Sequence, residues 1–412
     1  MPLVNPFKAV RPSRDKVGLI ASRPYETYTK AQLEARLDNN PFSFLHIVNP
    51  GYKYHKEISG PQRFKLVKNR YDEFKEDGSF IQDKTANFYL HKIVYRKKIE
   101  FVGIVGAASV DDYENRIIRK HEDTISEKVE VYNDYLKTVR FNADPVLLTH
   151  PKNSKIEEIK QKMMKDRAEY EFTTTSRETH YLWLIKDKGD IKSIQEEFNK
   201  MSHFYIADGH HRTNSSISLR AAIAKENKKH TGKEAYNFFM SFLIPENQLQ
   251  IFEFNRLVQS LNGLSKENFL IRLDEFFKIE NRGQNYYKPG GKHRFSMYLD
   301  NEFYSLALRK NSYKFTDSLS QLDAQILFKT VLEPILGISD LRHDKRIKYV
   351  QGQKDMTYVK GAIDNGSYRV GFGLFPVTVQ EMKRIADESL VMPPKTTYID
   401  PKLRSGITIY EF

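Results

Sequence analysis

A chain of 412 residues with 66 Lys+Arg against 53 Asp+Glu carries a net charge of +13, and 40% of it is hydrophobic. That length allows two or three domains with sizeable cores, and the positive excess favours anionic partners: nucleotides, phosphorylated metabolites or nucleic acid. The absence of cysteine excludes disulfides, thiolate metal sites, iron–sulfur clusters and cysteine nucleophiles. No basic-then-apolar leader opens the chain and no apolar run reaches the length of a membrane span, so a cytoplasmic protein without a membrane partner is expected.

Residues 17–21 read as a strand that runs towards Pro24, where regular pairing ends. Thr29 with Gln32 forms a capping box and opens a helix to about residue 38. Residues 43–48 read as a second strand. Beyond Pro61, the residues Phe64, Val67, Tyr71 and Phe74 recur at helical spacing and predict a core stripe, with Gly78 as the stop. Residues 88–95 and 99–107 flank Lys97-Lys98 as the arms of a hairpin would. The charged run 116–124 is either a solvated face or a loop that lends His121, Glu122 or Thr124 to a site. A helix over 127–140, a turn at Asn142-Ala143-Asp144-Pro145 and a strand over 146–149 follow. Next come a helix over 154–167 and a strand over 181–185, whose Trp183 reads as core.

Residues 204–207 are apolar, Asp208-Gly209 breaks the run, and a helical pattern begins at His210. This is a strand, a tight turn and a helix N-terminus. Asp208 is placed to cap the helix. His210, His211 and Arg212 fall in its first turn, the wrong end for cations because the helix dipole is already positive there. A capped helix with solvated basic residues is one reading; an anion site, phosphate above all, is the favoured one. The two adjacent histidines point about 100° apart on a helix, which argues against a shared metal ion. No P-loop or dinucleotide fingerprint is present.

Residues 238–244 predict a further strand, and Pro245-Glu246-Asn247-Gln248 a boundary. Beyond it the pattern gives a helix over 266–277, a Gly/Pro-rich loop, strands over 294–299 and 303–308, a helix over 324–336, then strand, helix and strand to residue 375. Pro393 and Pro394 are expected to hold the following Lys395-Thr396-Thr397 on an extended backbone, where a lysine beside hydroxyls can grip an anion.

Several segments together are similar to the domain-of-unknown-function family 1015: Pro24-Tyr25-Glu26, Asn40-Pro41-Phe42-Ser43-Phe44-Leu45-His46, His121-Glu122 with Thr124, Asp208-Gly209-His210-His211-Arg212, Leu332-Glu333-Pro334-Ile335-Leu336-Gly337, and Met392-Pro393-Pro394-Lys395. The joint at Asp208 also resembles, locally, the phosphate-binding element of the ParB/sulfiredoxin fold, which includes the free serine kinases. That resemblance implies an α/β fold with a ParB/sulfiredoxin-like N-terminal domain over 1–245, followed by an α+β domain over 246–412. It further implies a base at Glu26, where many relatives carry Asp, and phosphates on the Asp208–Arg212 joint. Sulfiredoxin chemistry needs a cysteine, which is absent.

The chemistry of phosphoryl transfer needs positioning and charge neutralisation. Gly209, His210, His211, Arg212, Lys395 and Thr396 are the candidate phosphate or nucleotide contacts, and Tyr25 and Glu122 the substrate contacts. Glu26, Asp208 and His121 are the candidate catalytic groups, with Asp208 also a Mg²⁺ ligand. The expected function is a nucleotide-dependent phosphotransferase using ATP or ADP on a small hydroxylated metabolite, serine or phosphoserine, in either direction. The alternative is a nucleotide-responsive DNA-binding or scaffolding protein, supported by the charge alone.

Overall fold

A computed structural model describes residues 1–96, 98–124 and 126–412; of the hairpin turn read at Lys97-Lys98, Lys97 lies outside the described residues. The chain forms two compact units. One comprises Met1–Lys120, Thr124–Leu249 and Pro401–Phe412, the other His121–Asp123 and Gln250–Asp400. Both are mixtures of helix and sheet.

The first unit is built on a nine-stranded sheet. Its strands are β1 (Val4–Asn5), β2 (Phe88–Val94), β3 (Glu100–Ser109), β4 (Ile118–Arg119), β5 (Val146–His150), β6 (Tyr170–Thr173), β7 (Thr179–Ile185), β8 (Phe204–Asp208) and β9 (Phe238–Pro245). They lie in the order β4-β8-β5-β9-β3-β2-β7-β6, with β1 on β3. Only β4 with β8 and β5 with β9 run parallel; the other pairings are antiparallel. The hairpin of β2 and β3 forms as the sequence predicts, with Leu90 opposite Ile104. Phe88, Leu90, Ile104, Leu148, Phe204, Ile206 and Leu243 share one buried cluster, joined by Trp183. Burial of this kind contributes roughly 25 cal/mol per Å² of apolar surface.

Helices of this unit include α1 (Lys30–Asn39), α2 (Gly60–Glu76), α3 (Ser126–Val139), α4 (Ser154–Met163), α5 (Lys188–Asn199) and α6 (His210–Glu226). Both halves of the Thr29–Gln32 capping box are made at the start of α1. The stripe Phe64, Val67, Tyr71 and Phe74 on α2 is buried. Two expected strands are corrected: Val17–Ile20 and Leu45–Val48 are single helical turns. Their apolar runs are too short for periodicity to separate strand from helix. The cluster they join decides the matter, because Phe44 and Ile47, three residues apart, both enter it beside Ile20, Val67 and Tyr71.

The second unit carries a six-stranded sheet, antiparallel throughout the described pairings. Its strands are β10 (Phe254–Val258), β11 (Phe277–Gly283), β12 (Arg294–Leu299), β13 (Glu302–Leu308), β14 (Ile347–Gln351) and β15 (Val370–Gly373), in the order β11-β13-β12-β15-β10-β14. The helix expected over 324–336 is shorter. An α-turn at Asp323–Leu327 widens into a π-helix at Phe328–Leu332, where Glu333 N–H reaches back to Phe328 O (3.0 Å). Pro334 has no N–H to offer Thr330, so the regular ladder cannot continue past it.

Candidate functional site

Strand β8 ends in a bulge. Ile206 pairs with Leu148 and Asp208 with Leu147, which leaves Ala207 as the extra residue. A bulge bends the strand and re-aims the next side chain. Gly209 follows at φ 103°, a conformation at ease only for glycine; a Cβ here would also stand 3.2 Å from the Arg212 guanidinium. Helix α6 then begins at His210. Its N-cap is Gly209, with no side-chain cap. The expectation that Asp208 caps the helix is therefore corrected: the bulge and the left-handed glycine place it one residue too early. The first ladder bond runs from Thr213 N–H to Gly209 O (3.0 Å), so the amides of His210, His211 and Arg212 precede the ladder.

The carboxylate of Asp208 instead meets two cations, with Oδ2 3.2 Å from Lys402 Nζ and 3.9 Å from Arg212. Burial opposes its ionisation, yet Lys402 and Arg212 hold its carboxyl down at about 2. Burial also pushes the His210 imidazole down to about 3 against the pull of Asp208. His210 is thus neutral at pH 7, which corrects the picture of a wholly cationic first turn. Arg212 and Lys402 supply the positive charge, and Arg212 Nη1 donates to Pro145 O at 2.6 Å.

Lys402 belongs to a strap, residues 401–412, woven into the first unit. Lys402 N–H donates to the Tyr95 hydroxyl (2.9 Å). Arg404 donates two bonds to Glu178 Oε2, at 2.7 and 3.1 Å. Ser405 and Ser22 exchange backbone bonds of 2.9 and 3.3 Å, and the Ser405 hydroxyl donates to Asp144. Gly406, at φ 82°, passes Phe44 so closely that a Cβ would meet its ring at 2.8 Å.

Ser22 leads directly into the loop that holds Tyr25 and Glu26. Tyr25–Thr27 is a 3-10 turn on which both residues are exposed, with the Arg63 guanidinium 5.8 Å from the centre of the Tyr25 ring. Glu26 and Arg212 act on a common neighbour, the Tyr132 phenol of α3. Burial raises that phenol well above its ordinary value, Asp144 and Glu26 raise it further, and Arg212 opposes them. Tyr132 stacks on Tyr135 with ring centres 5.5 Å apart.

The remaining candidates lie in the second unit. His121 O accepts from Met392 N–H at 3.0 Å, and Glu122 is half-buried. The extended backbone expected at Lys395 is corrected to a turn. Lys395 has φ 56°, and the Thr396 hydroxyl donates to Pro393 O at 2.6 Å. Proline at the second position of a turn favours this course. Lys395 is exposed, Thr396 is buried, and Arg256 Nη2 donates to Lys395 O at 3.3 Å. Among the described residues no group of three or more His, Asp or Glu could hold a metal ion, and no helix is long and apolar enough to cross a membrane.

Lys402, Tyr132 and Arg404 carry no role in the sequence reading, and Asp144 only that of a turn residue. Lys402 meets Asp208 across 194 residues, and no spacing rule connects them.

The chain belongs to the family described as Protein of unknown function (DUF1015), whose profile matches residues 4–325. No curated protein matches it in sequence. Among solved structures it is similar to SbnI with C-terminal truncation from Staphylococcus aureus, at 11% identity and a TM-score of 0.39, over 74% of this chain and 85% of that one. A free serine kinase in complex with AMP gives 10% identity and 0.34, over 74% and 91%. A conserved hypothetical protein from Pyrococcus furiosus gives 12% and 0.36, over 74% and 94%. At such scores the likeness carries no argument about activity.

Proposed function

We propose that this member of the DUF1015 family is a nucleotide-dependent phosphotransferase acting on a small hydroxylated metabolite, with serine or phosphoserine as the first substrate class. One observation carries the reading: a left-handed Gly209 joins β8 to an α6 without a side-chain cap, and the cations of Arg212 and Lys402 both face Asp208, the residue before it. Backbone amides at a helix start, a dipole favouring negative charge and two flexible cations are what a phosphate chain requires. The likeness of this joint to the ParB/sulfiredoxin element is part of the same proposal.

The step assigned to the site balances simply. The substrate hydroxyl gives its proton to the Glu26 carboxylate, its oxygen bonds the terminal phosphorus of ATP or ADP, and the bond to the leaving nucleotide breaks. Arg212 neutralises the phosphate oxygens. Asp208 is the carboxylate of the joint and is already paired with Lys402 and Arg212, so a Mg²⁺ ion arriving with the nucleotide would share it with those cations while neutralising phosphate charge. The reading rests on residues of the first unit alone.

Calorimetric titration with ADP and ATP tests it. Arg212→Ala should weaken binding at least about tenfold, the effect of losing one charge-assisted contact. Glu26→Gln should lower turnover and leave nucleotide affinity in place, since it removes a proton acceptor and keeps the shape. Equal affinity in wild type and Arg212→Ala would end the phosphate reading.

A further inference from the structure

We propose that residues 401–406 are a positioning latch that holds the Glu26 loop and the Asp208–Arg212 joint in one arrangement. The inference rests on the preceding reading only in regarding those two pieces as parts of one site; the latch itself is argued from contacts.

Five segments distant in sequence meet on these six residues: Tyr95 and Asp208 at Lys402, Glu178 at Arg404, and Ser22 with Asp144 at Ser405. Ser22 starts the Glu26 loop, and Asp144 stands beside Pro145, whose carbonyl takes Arg212. The latch thus ties both sides of the Tyr132 surroundings to one short piece of backbone.

The two ends of the strap are held differently. Beyond Gly406 it is core: Ile407 and Ile409 are buried, and Tyr410–Glu411 pairs with Phe141–Asn142. Before Gly406 it is held by ion pairs, hydroxyls and one isolated bridge. The Lys402–Asp208 pair is the open one, its side chains 38% and 43% exposed, whereas Arg404 is 6% exposed. Exposed pairs are weak and screened by salt. One end of the strap is therefore held by core packing and the other by polar contacts, of which Lys402–Asp208 is the most exposed. The latch lies outside the span matched by the family profile, residues 4–325.

Hydrogen exchange on the full chain tests this without any ligand. In the double variant Lys402→Ala/Arg404→Gln, amides of residues 22–28 and 209–213 should exchange at least about tenfold faster, a larger change than in β9. Unchanged protection at 22–28 would overturn the latch. Should the double variant fail to fold, Lys402→Ala alone should speed exchange at 209–213 and Lys402→Arg should restore it; no difference between them would overturn the latch equally. ADP titration of the wild type is read separately. A protein that binds no nucleotide refutes the phosphotransferase reading, while the exchange data still decide the latch.

Discussion

The two units trap different sets of ionisable groups, and burial pushes the imidazoles of one and Asp323 of the other towards their neutral forms. In the first, the buried groups include imidazoles: His91, His150, His180 and His210. Burial holds all four below their ordinary value, His150 at about 4 and His210 at about 3. His91 and His180 share one hydrogen bond of 3.1 Å, and the Phe172 ring stacks on His180 at 5.0 Å. In the second unit the buried groups include Arg256 and Asp323, besides His121. Burial lowers the guanidinium of Arg256 to about 10, with Tyr349 and Glu253 opposing, and raises the carboxyl of Asp323 to about 7 against the His293 amide and Lys292. Both units are sheet and helix around an apolar core, yet protons act in opposite senses on the four imidazoles and on Asp323, and the first unit adds one carboxyl of the second kind, Asp112, which burial also raises. Which side chains a core traps, more than its architecture, sets its response to pH.

The largest expected effect follows from the histidines. Their folded-state values lie below the ordinary 6.5, so the unfolded chain takes up protons first as pH falls. Their contribution to stability is full above about pH 6.5 and is lost as pH falls below it, at about 1.4 kcal/mol per pH unit down to about 4 for His150 and about 3 for His210. Urea unfolding followed by hydrogen exchange in β2 to β9 should show this decline between pH 7 and 5, with a shallower slope in His210→Asn. A flat profile would break the contrast between the units at its root.

Asp323 gives the intermediate effect with the reverse sign. Its folded-state value is raised above the ordinary 3.8, so its contribution is full below that value and is lost as pH rises through about 7. Asp323→Asn keeps the shape and removes the charge. At pH 8 the variant's second unit should exceed wild type by on the order of 1–3 kcal/mol, and at pH 4 the gain should vanish. Equal stability at pH 8 would show that the carboxylate is better satisfied than its surroundings imply.

The smallest effects are a matched pair. Each unit has one helix opened by a complete capping box, Thr29 with Gln32 and Thr378 with Glu381. Thr29→Ala and Thr378→Ala should each cost about 1 kcal/mol, each in its own unit. If both shift one shared unfolding transition equally in calorimetry, the units do not respond separately.

Legibility in the sequence followed the range of the interactions. The α2 stripe, the Thr29 capping box, the β2–β3 hairpin and the passage from β8 into α6 are written within a few neighbouring residues, and they stand in the structure as read. The helical turns at Val17–Ile20 and Leu45–Val48 were illegible because four apolar residues fit either periodicity until a core selects one. At the candidate site, Asp208, Gly209 and Arg212 could be read because the strand, break and helix are contiguous. The exchange of partners at Asp208 could not. A bulge at Ala207 and a lysine 194 residues away decide whether that carboxylate caps a helix or holds two cations, and neither leaves a local pattern.

The strap has a consequence for the order of manufacture. Residues 401–412 belong to the first unit but are synthesised after all of residues 250–400. A nascent chain that has released Leu249 therefore still lacks the edge partner of Phe141–Asn142, the counter-charge of Glu178 and the lysine at Asp208. Domains commonly fold in the sequence in which they leave the ribosome; here the earlier one must wait for the later one to be translated before its last pieces arrive. The joint receives its lysine at Asp208 only once residue 402 has been made.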